Sequence, residues 1–216
     1  MPKSIKVPLS ALAGAALASL SIACLAAPPL SGAIFTTDIN GDLVNGNTKY
    51  EAECDVYLDG GPGPNAPQKA AGLPDGDYYY QVTDPSGKKL LSEDAPENRC
   101  FTVTDGIMTA QCAVPPVHGV GVSNDHGGIT IQLCPYHRTP NNGGVYKVWA
   151  TPVDDFVGDP TDDGQNNCGN GCFHGFLPAA SKTDNYKVGD ANETFCIRAY
   201  KYGFDDKKGE YPPITS

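Results

Sequence analysis

Leu73-Pro-Asp-Gly-Asp-Tyr-Tyr-Tyr-Gln-Val-Thr-Asp-Pro85 decides the fold class. A proline-aspartate-glycine turn opens this stretch and an Asp84-Pro-Ser-Gly87 turn closes it. Proline presets the backbone of a turn, and glycine reaches the conformations that other residues avoid. Between the turns, Tyr78, Tyr80 and Val82 fall on one face of an extended chain, and Tyr79, Gln81 and Thr83 on the other. Aromatic and β-branched side chains suit such a pleated surface. The segment is one antiparallel strand cut to length.

Neighbouring segments repeat the pattern. Alternation predicts strands near residues 34–37, 50–58 and 99–112, the last a hairpin about Asp105-Gly106. Residues 88–92 read as a brief edge strand. Residues 129–134 place Ile129, Ile131 and Leu133 inward, and residues 145–151 carry Trp149, the only tryptophan. Residues 59–65 and 114–128 read as loops. Residues 152–192 read as a long irregular loop, and residues 194–202 as one further strand. About eight short strands with frequent turns predict an all-β antiparallel β-sandwich with long irregular loops. The 25 glycines and 19 prolines, about one-fifth of 216 residues, agree with that many turns.

The first residues read as an export signal. Lys3 and Lys6 precede an apolar run at residues 9–23, with small residues at Ala23, Ala26 and Ala27. The run is too short to span a bilayer, and cleavage is expected after Ala26. Ser21-Ile-Ala-Cys24 offers the alternative of a lipoprotein anchored through Cys24. The expected organisation is a signal peptide at 1–26, a sandwich domain at 27–157, an acidic, cysteine-containing linker at 158–193, and a C-terminal strand at 194–216 that begins a truncated second module. Losing residues 1–26 takes away two lysines and no acid, so the formal charge moves from -10 to -12. An acidic chain argues against nucleic acid and anionic membrane surfaces as partners.

Eight cysteines include Cys24, leaving seven in the exported chain. Outside the cytoplasm most should pair. The local candidates are Cys100 with Cys112 and Cys168 with Cys172. An odd count leaves one thiol free or bonded to another chain.

Three acidic groupings are candidate calcium sites. Asp38, Asn40 and Asp42 alternate along a turn, as loop ligands of calcium do, although Leu43 stands where a calcium loop needs glycine. A plain polar turn accounts for them as well. Five aspartates lie between Asp154 and Asp163, where a solvated acidic loop is the commoner outcome. Asp205, Asp206 and Glu210 form the third grouping. His118, His126, His137 and His174 show no zinc-site spacing. Cys168-Gly-Asn-Gly-Cys172 has the wrong spacing for haem attachment or a redox pair. Ser123, Asp125 and His126 lie too close in sequence for an ordinary triad.

Three phrases, Val56-Tyr-Leu-Asp-Gly-Gly61, Gly72-Leu-Pro-Asp-Gly-Asp-Tyr-Tyr-Tyr-Gln-Val-Thr-Asp-Pro-Ser-Gly87 and Lys89-Leu-Leu-Ser92, resemble the B-type repeats of bacterial surface adhesins. These are the collagen-adhesin and serine-aspartate-repeat B-like modules. The tail from Phe195 to Glu210 is similar to the start of another such repeat, with a shortened acidic ladder. His174-Gly-Phe-Leu-Pro178 and Ser181-Lys-Thr-Asp-Asn-Tyr-Lys-Val188 resemble linkers in large secreted bacterial proteins. The resemblance implies a transthyretin-like (prealbumin-like) sandwich, often calcium-binding, and in some repeats a lysine-asparagine isopeptide bond, for which Lys49 is the candidate lysine. It implies a non-enzymatic extracellular structural or adhesive role, with an extracellular-matrix, cell-surface or envelope protein or glycan as partner. A carbohydrate- or protein-binding module would use Tyr78, Tyr79, Tyr80, Tyr146 and Trp149 as exposed aromatics. A secreted hydrolase would bring loop carboxylates together in a cleft.

Overall fold

The computed structural model describes residues 29–44, 48–67, 69–124, 127–164, 169 and 171–189. The segment expected to be a signal peptide, Cys24, Cys168, Cys196, His126, the strand expected at 194–202 and Asp205, Asp206 and Glu210 lie outside the described residues. In chain order the strands are β1 Ala33–Thr37, β2 Tyr57–Gly61, β3 Gly76–Thr83, β4 Cys100–Thr104, β5 Ile107–Gln111, β6 Val120–Val122, β7 Ile129–Gln132, β8 Val145–Pro152 and β9 Lys182–Lys187. They form a four-stranded sheet ordered β1-β2-β7-β6 and a five-stranded sheet ordered β5-β4-β3-β8-β9. Every pairing between named strands is antiparallel. The fold is an all-β sandwich. No helix among the described residues is long and apolar enough to cross a membrane.

β3 is the centre of the larger sheet, paired with β4 on one side and with β8 over six residues on the other. Tyr78, Tyr80 and Val82 point into the core with Leu58 and Ile131 of the opposite sheet, all essentially without exposure. Tyr78 stacks on Phe101 with ring centroids 5.2 Å apart. Such burial stabilises by roughly 1.5–3 kcal/mol per large side chain. The turns behave as their residues dictate. Asp84 Oδ1 accepts from the Lys89 amide at 2.9 Å, and Oδ2 accepts from Ser86 Oγ at 2.6 Å. Asp105 and Gly106 both take positive φ, 53° and 81°, as a tight hairpin turn needs.

The second face of β3 is covered as well. Phe156, Phe173 and Phe176 lay an aromatic layer over it. Phe156 meets Tyr79 at 5.1 Å and Phe176 at 5.4 Å, and Phe173 meets Trp149 at 5.1 Å. Several polar groups on this face find partners in the layer or the sheet, while Gln81 Oε1 has none. Gln81 Nε2 donates to the Phe173 carbonyl at 3.0 Å, and Thr151 Oγ1 to the Ala180 carbonyl at 3.0 Å. Trp149 Nε1 donates to Thr83 Oγ1 at 3.0 Å. Gln81 and Thr83 are therefore fully buried despite their polarity.

Several expected elements differ. The irregular loop at 152–192 contains two 3-10 turns, Val153–Asp155 and Pro178–Ala180, and the edge strand β9. Tyr186 is the only apolar residue of β9, so an alternation signal was almost absent, as is usual for a protected edge. The strand expected at 50–58 begins as a 3-10 turn, Glu53–Asp55, and extends through Gly61. Gly60 can be part of it because a Cβ there would approach Leu73 Cδ1 at 2.9 Å and Met108 Sδ at 3.1 Å. Residues 88–92 make only isolated bridges, and the loop at 114–128 contains β6.

Candidate functional site

At the first proposed calcium turn, Asp38 Oδ1 accepts from the amides of Asn40 at 2.8 Å and Asp42 at 3.0 Å. Asn40 Nδ2 donates to Asp38 Oδ2 at 3.3 Å, and Asn124 Nδ2 donates to Asp42 Oδ1 at 3.1 Å. The carboxylates thus hold a turn. Asp159 does the same for the Thr161 amide and hydroxyl, which hold its carboxyl below the usual range. Among the described residues, no three His, Cys, Asp or Glu side chains gather as metal ligands.

Cys100 and Cys112 form a disulfide across the β4–β5 hairpin, as their spacing suggested. Cys172 is also disulfide-bonded. Sequence reasoning missed Cys54–Cys134, 80 residues apart, with Cα atoms 5.2 Å from each other. It joins the lead-in to β2 with the residue pair following β7, strands already neighbours in the sheet. Nothing in the spacing marks that pair.

The densest group of ionisable side chains lies beside this disulfide. Arg99 and His118 are buried, and Asp94 is nearly so, with 14% of its side chain exposed. The Asp94-to-Arg99 turn folds back on itself, so that Arg99 Nε donates to the Asp94 carbonyl at 2.9 Å and lies 3.4 Å from Asp94 Oδ1. Arg99 Nη1 donates to the Tyr80 carbonyl at 2.8 Å. Burial lowers the Arg99 pKa, and Asp94 opposes that shift. His118 Nδ1 lies 2.8 Å from the Cys134 carbonyl, and Nε2 lies 2.9 Å from Asp94 Oδ2. A carbonyl can only accept, so Nδ1 is the donor in the contact with Cys134. Tyr80 packs edge-on against the His118 ring at 5.5 Å. The cluster therefore links β3 of one sheet to the end of β7 in the other. It is a clamp, with no nucleophile in its hydrogen bonds.

A second carboxylate, half-buried, has different company. Where β1 and β9 meet at the sandwich edge, a cleft of about 430 Å³ is lined by Phe35, Thr36, Leu43, Val44, Tyr50, Pro64 and Asp184, among others. Asp184 Oδ2 accepts from the Thr36 amide at 3.1 Å and from Thr36 Oγ1 at 3.4 Å. Asp184 Oδ1 accepts from the Asn185 amide at 2.9 Å. No cationic side chain among the described residues pairs with Asp184. Loss of water raises its pKa, and these hydrogen bonds offset part of the shift. Burial also raises the pKa of Tyr50. Sequence reasoning placed Asp184 in a linker and gave it no role.

The aromatics proposed as an exposed platform are interior. Tyr78, Tyr80, Tyr146 and Trp149 are buried, and Tyr79 is half-covered by Phe156. This removes the exposed-aromatic route to sugar binding. His137 is exposed and lies 3.1 Å from Glu93 Oε1, and His174 lies 3.1 Å from the Gly87 carbonyl, its pKa lowered by burial. The chain matches no protein-family model, no curated protein and no solved structure.

Proposed function

We propose that the chain is a secreted, non-enzymatic structural or adhesive module, a stiff spacer or contact domain of an extracellular or cell-surface assembly. The Asp94–Arg99–His118 clamp beside Cys54–Cys134 carries this reading. Its hydrogen bonds reach from Tyr80 in one sheet to Cys134 at the end of β7 in the other, beside a covalent bond that staples β2 to β7 within the four-stranded sheet. Disulfides persist outside the reducing cytoplasm. The turn and strand phrases that resemble adhesin B-type repeats point the same way, as does the N-terminal segment read as an export signal. Fold alone does not give function, so the test is cellular. Fractionation with thiol labelling is expected to find the chain exported, with Cys54, Cys100, Cys112 and Cys134 unlabelled. Cells lacking it are expected to attach less well to matrix-coated or envelope-coated surfaces. A cytoplasmic chain with labelled thiols, or unaltered attachment, contradicts the proposal.

A further inference from the structure

We propose that the cleft between β1 and β9 binds an alkylammonium group, with Asp184 as its counter-ion and Phe35 and Tyr50 as aromatic walls. The inference names a ligand chemistry for the adhesive reading and rests on it only for biological context.

The argument starts from the carboxylate. Asp184 is half-buried on the cleft wall, where a carboxylate gains from a cation that replaces lost water. Asp184 has only neutral donors: the Thr36 amide, the Thr36 hydroxyl and the Asn185 amide. The nearby Lys187 also lines the cleft, yet it forms no ion pair with Asp184. The Tyr50 hydroxyl is buried close to Thr36 and Asp184, without a hydrogen bond of good geometry.

The shape and charge narrow the ligand. A volume of about 430 Å³ is within the range of small-molecule sites. Leu43, Val44 and Pro64 provide apolar wall for an alkyl stem, and aromatic faces attract a cation. Anions are disfavoured by Asp184, by Asp38 near Tyr50 and by a formal charge of -10. A hard metal ion needs about six oxygens, and a single carboxylate does not supply them. A guanidinium prefers a bidentate carboxylate face, whereas both Asp184 oxygens already accept from the backbone. An ammonium needs one point of contact and an apolar sleeve.

The source is a free amine or a lysine side chain on a partner, and one experiment separates them. The full oxidised protein is titrated at constant ionic strength with n-butylammonium, with the neutral isostere n-butanol, and with an acetyl-Gly-Lys-Gly-amide peptide, while amide NMR shifts are followed. Saturable shifts at Thr36, Asp184 and Tyr186 are expected with butylammonium, with a Kd on the order of 1 mM, and none with butanol. Tighter binding of the peptide identifies a protein-borne lysine, and equal or weaker binding a free amine. Asp184→Asn should weaken binding at least about tenfold, one factor of ten being 1.4 kcal/mol. Leu43→Trp, at an exposed position on the rim, should block the cleft without touching Asp184. No saturable shift up to about fifty times that Kd, equal response to butanol, or undiminished binding by either variant overturns the proposal. A failed attachment assay with intact amine binding would sink the adhesive role and spare the site. The reverse result would sink the site and spare the role.

Discussion

Asp94 and Asp184 have both lost part of their contact with water, and the molecule treats them in opposite ways. Asp94 has the Arg99 guanidinium at 3.4 Å and the His118 ring at 2.9 Å. Asp184 has amides and a hydroxyl. The first arrangement sets a carboxylate against a guanidinium of the same chain, so it serves the frame. The second leaves a carboxylate uncompensated in a cleft, so it is suited to an outside partner. Burial alone does not distinguish the two roles. The charge of the neighbours does.

Breaking the clamp should have the largest effect. Replacing Cys54 and Cys134 by alanine removes a closure across 80 residues, a loss of about 4.5 kcal/mol by chain entropy, against about 3 kcal/mol for the 12-residue Cys100–Cys112 loop. Urea unfolding of the two double variants checks the order, and a reversed order would count against Cys54–Cys134 as the main staple. Arg99→Ala strands Asp94 and leaves the Tyr80 carbonyl short of its donor, at a cost of about 3–5 kcal/mol. A loss under about 1 kcal/mol would show that the buried ion pair does not brace the sheets.

The cleft should respond with the opposite sign. The folded pKa of Asp184 is raised by desolvation. Its contribution to stability is therefore full below the unfolded carboxyl pKa and is lost as pH rises through the folded value. Asp184→Asn removes that dependence. The stability of the variant relative to the native chain should grow from pH 3 to pH 7, measured by denaturant midpoints at each pH. A relative stability that falls over this range would mean that Asp184 has a hidden cationic partner.

How much of this was legible in the residues depends on range. β3 could be read directly, because its turns and its alternation are local, and the hairpin at Asp105-Gly106 likewise. The Cys100–Cys112 bridge shared that locality. The covering layer could not be read, since Phe156, Phe173 and Phe176 have no period that marks a packed face, and they looked like linker. Tyr79 and Trp149 seemed available as a binding surface for the same reason. His118 meets Asp94 across 24 residues and Thr36 meets Asp184 across 148, so neither site has a sequence signature. Only the folded sheets bring those groups together.

The most direct test compares Asp94→Asn with Asp184→Asn in urea at pH 7. Asp94→Asn should lose about 3 kcal/mol, because it leaves Arg99 buried without its counter-charge. Asp184→Asn should stay within about 1 kcal/mol of the native chain or exceed it, since an amide oxygen can still accept from Thr36. Equal losses for the two variants would contradict the account, as would an Asp94→Asn variant as stable as the native chain.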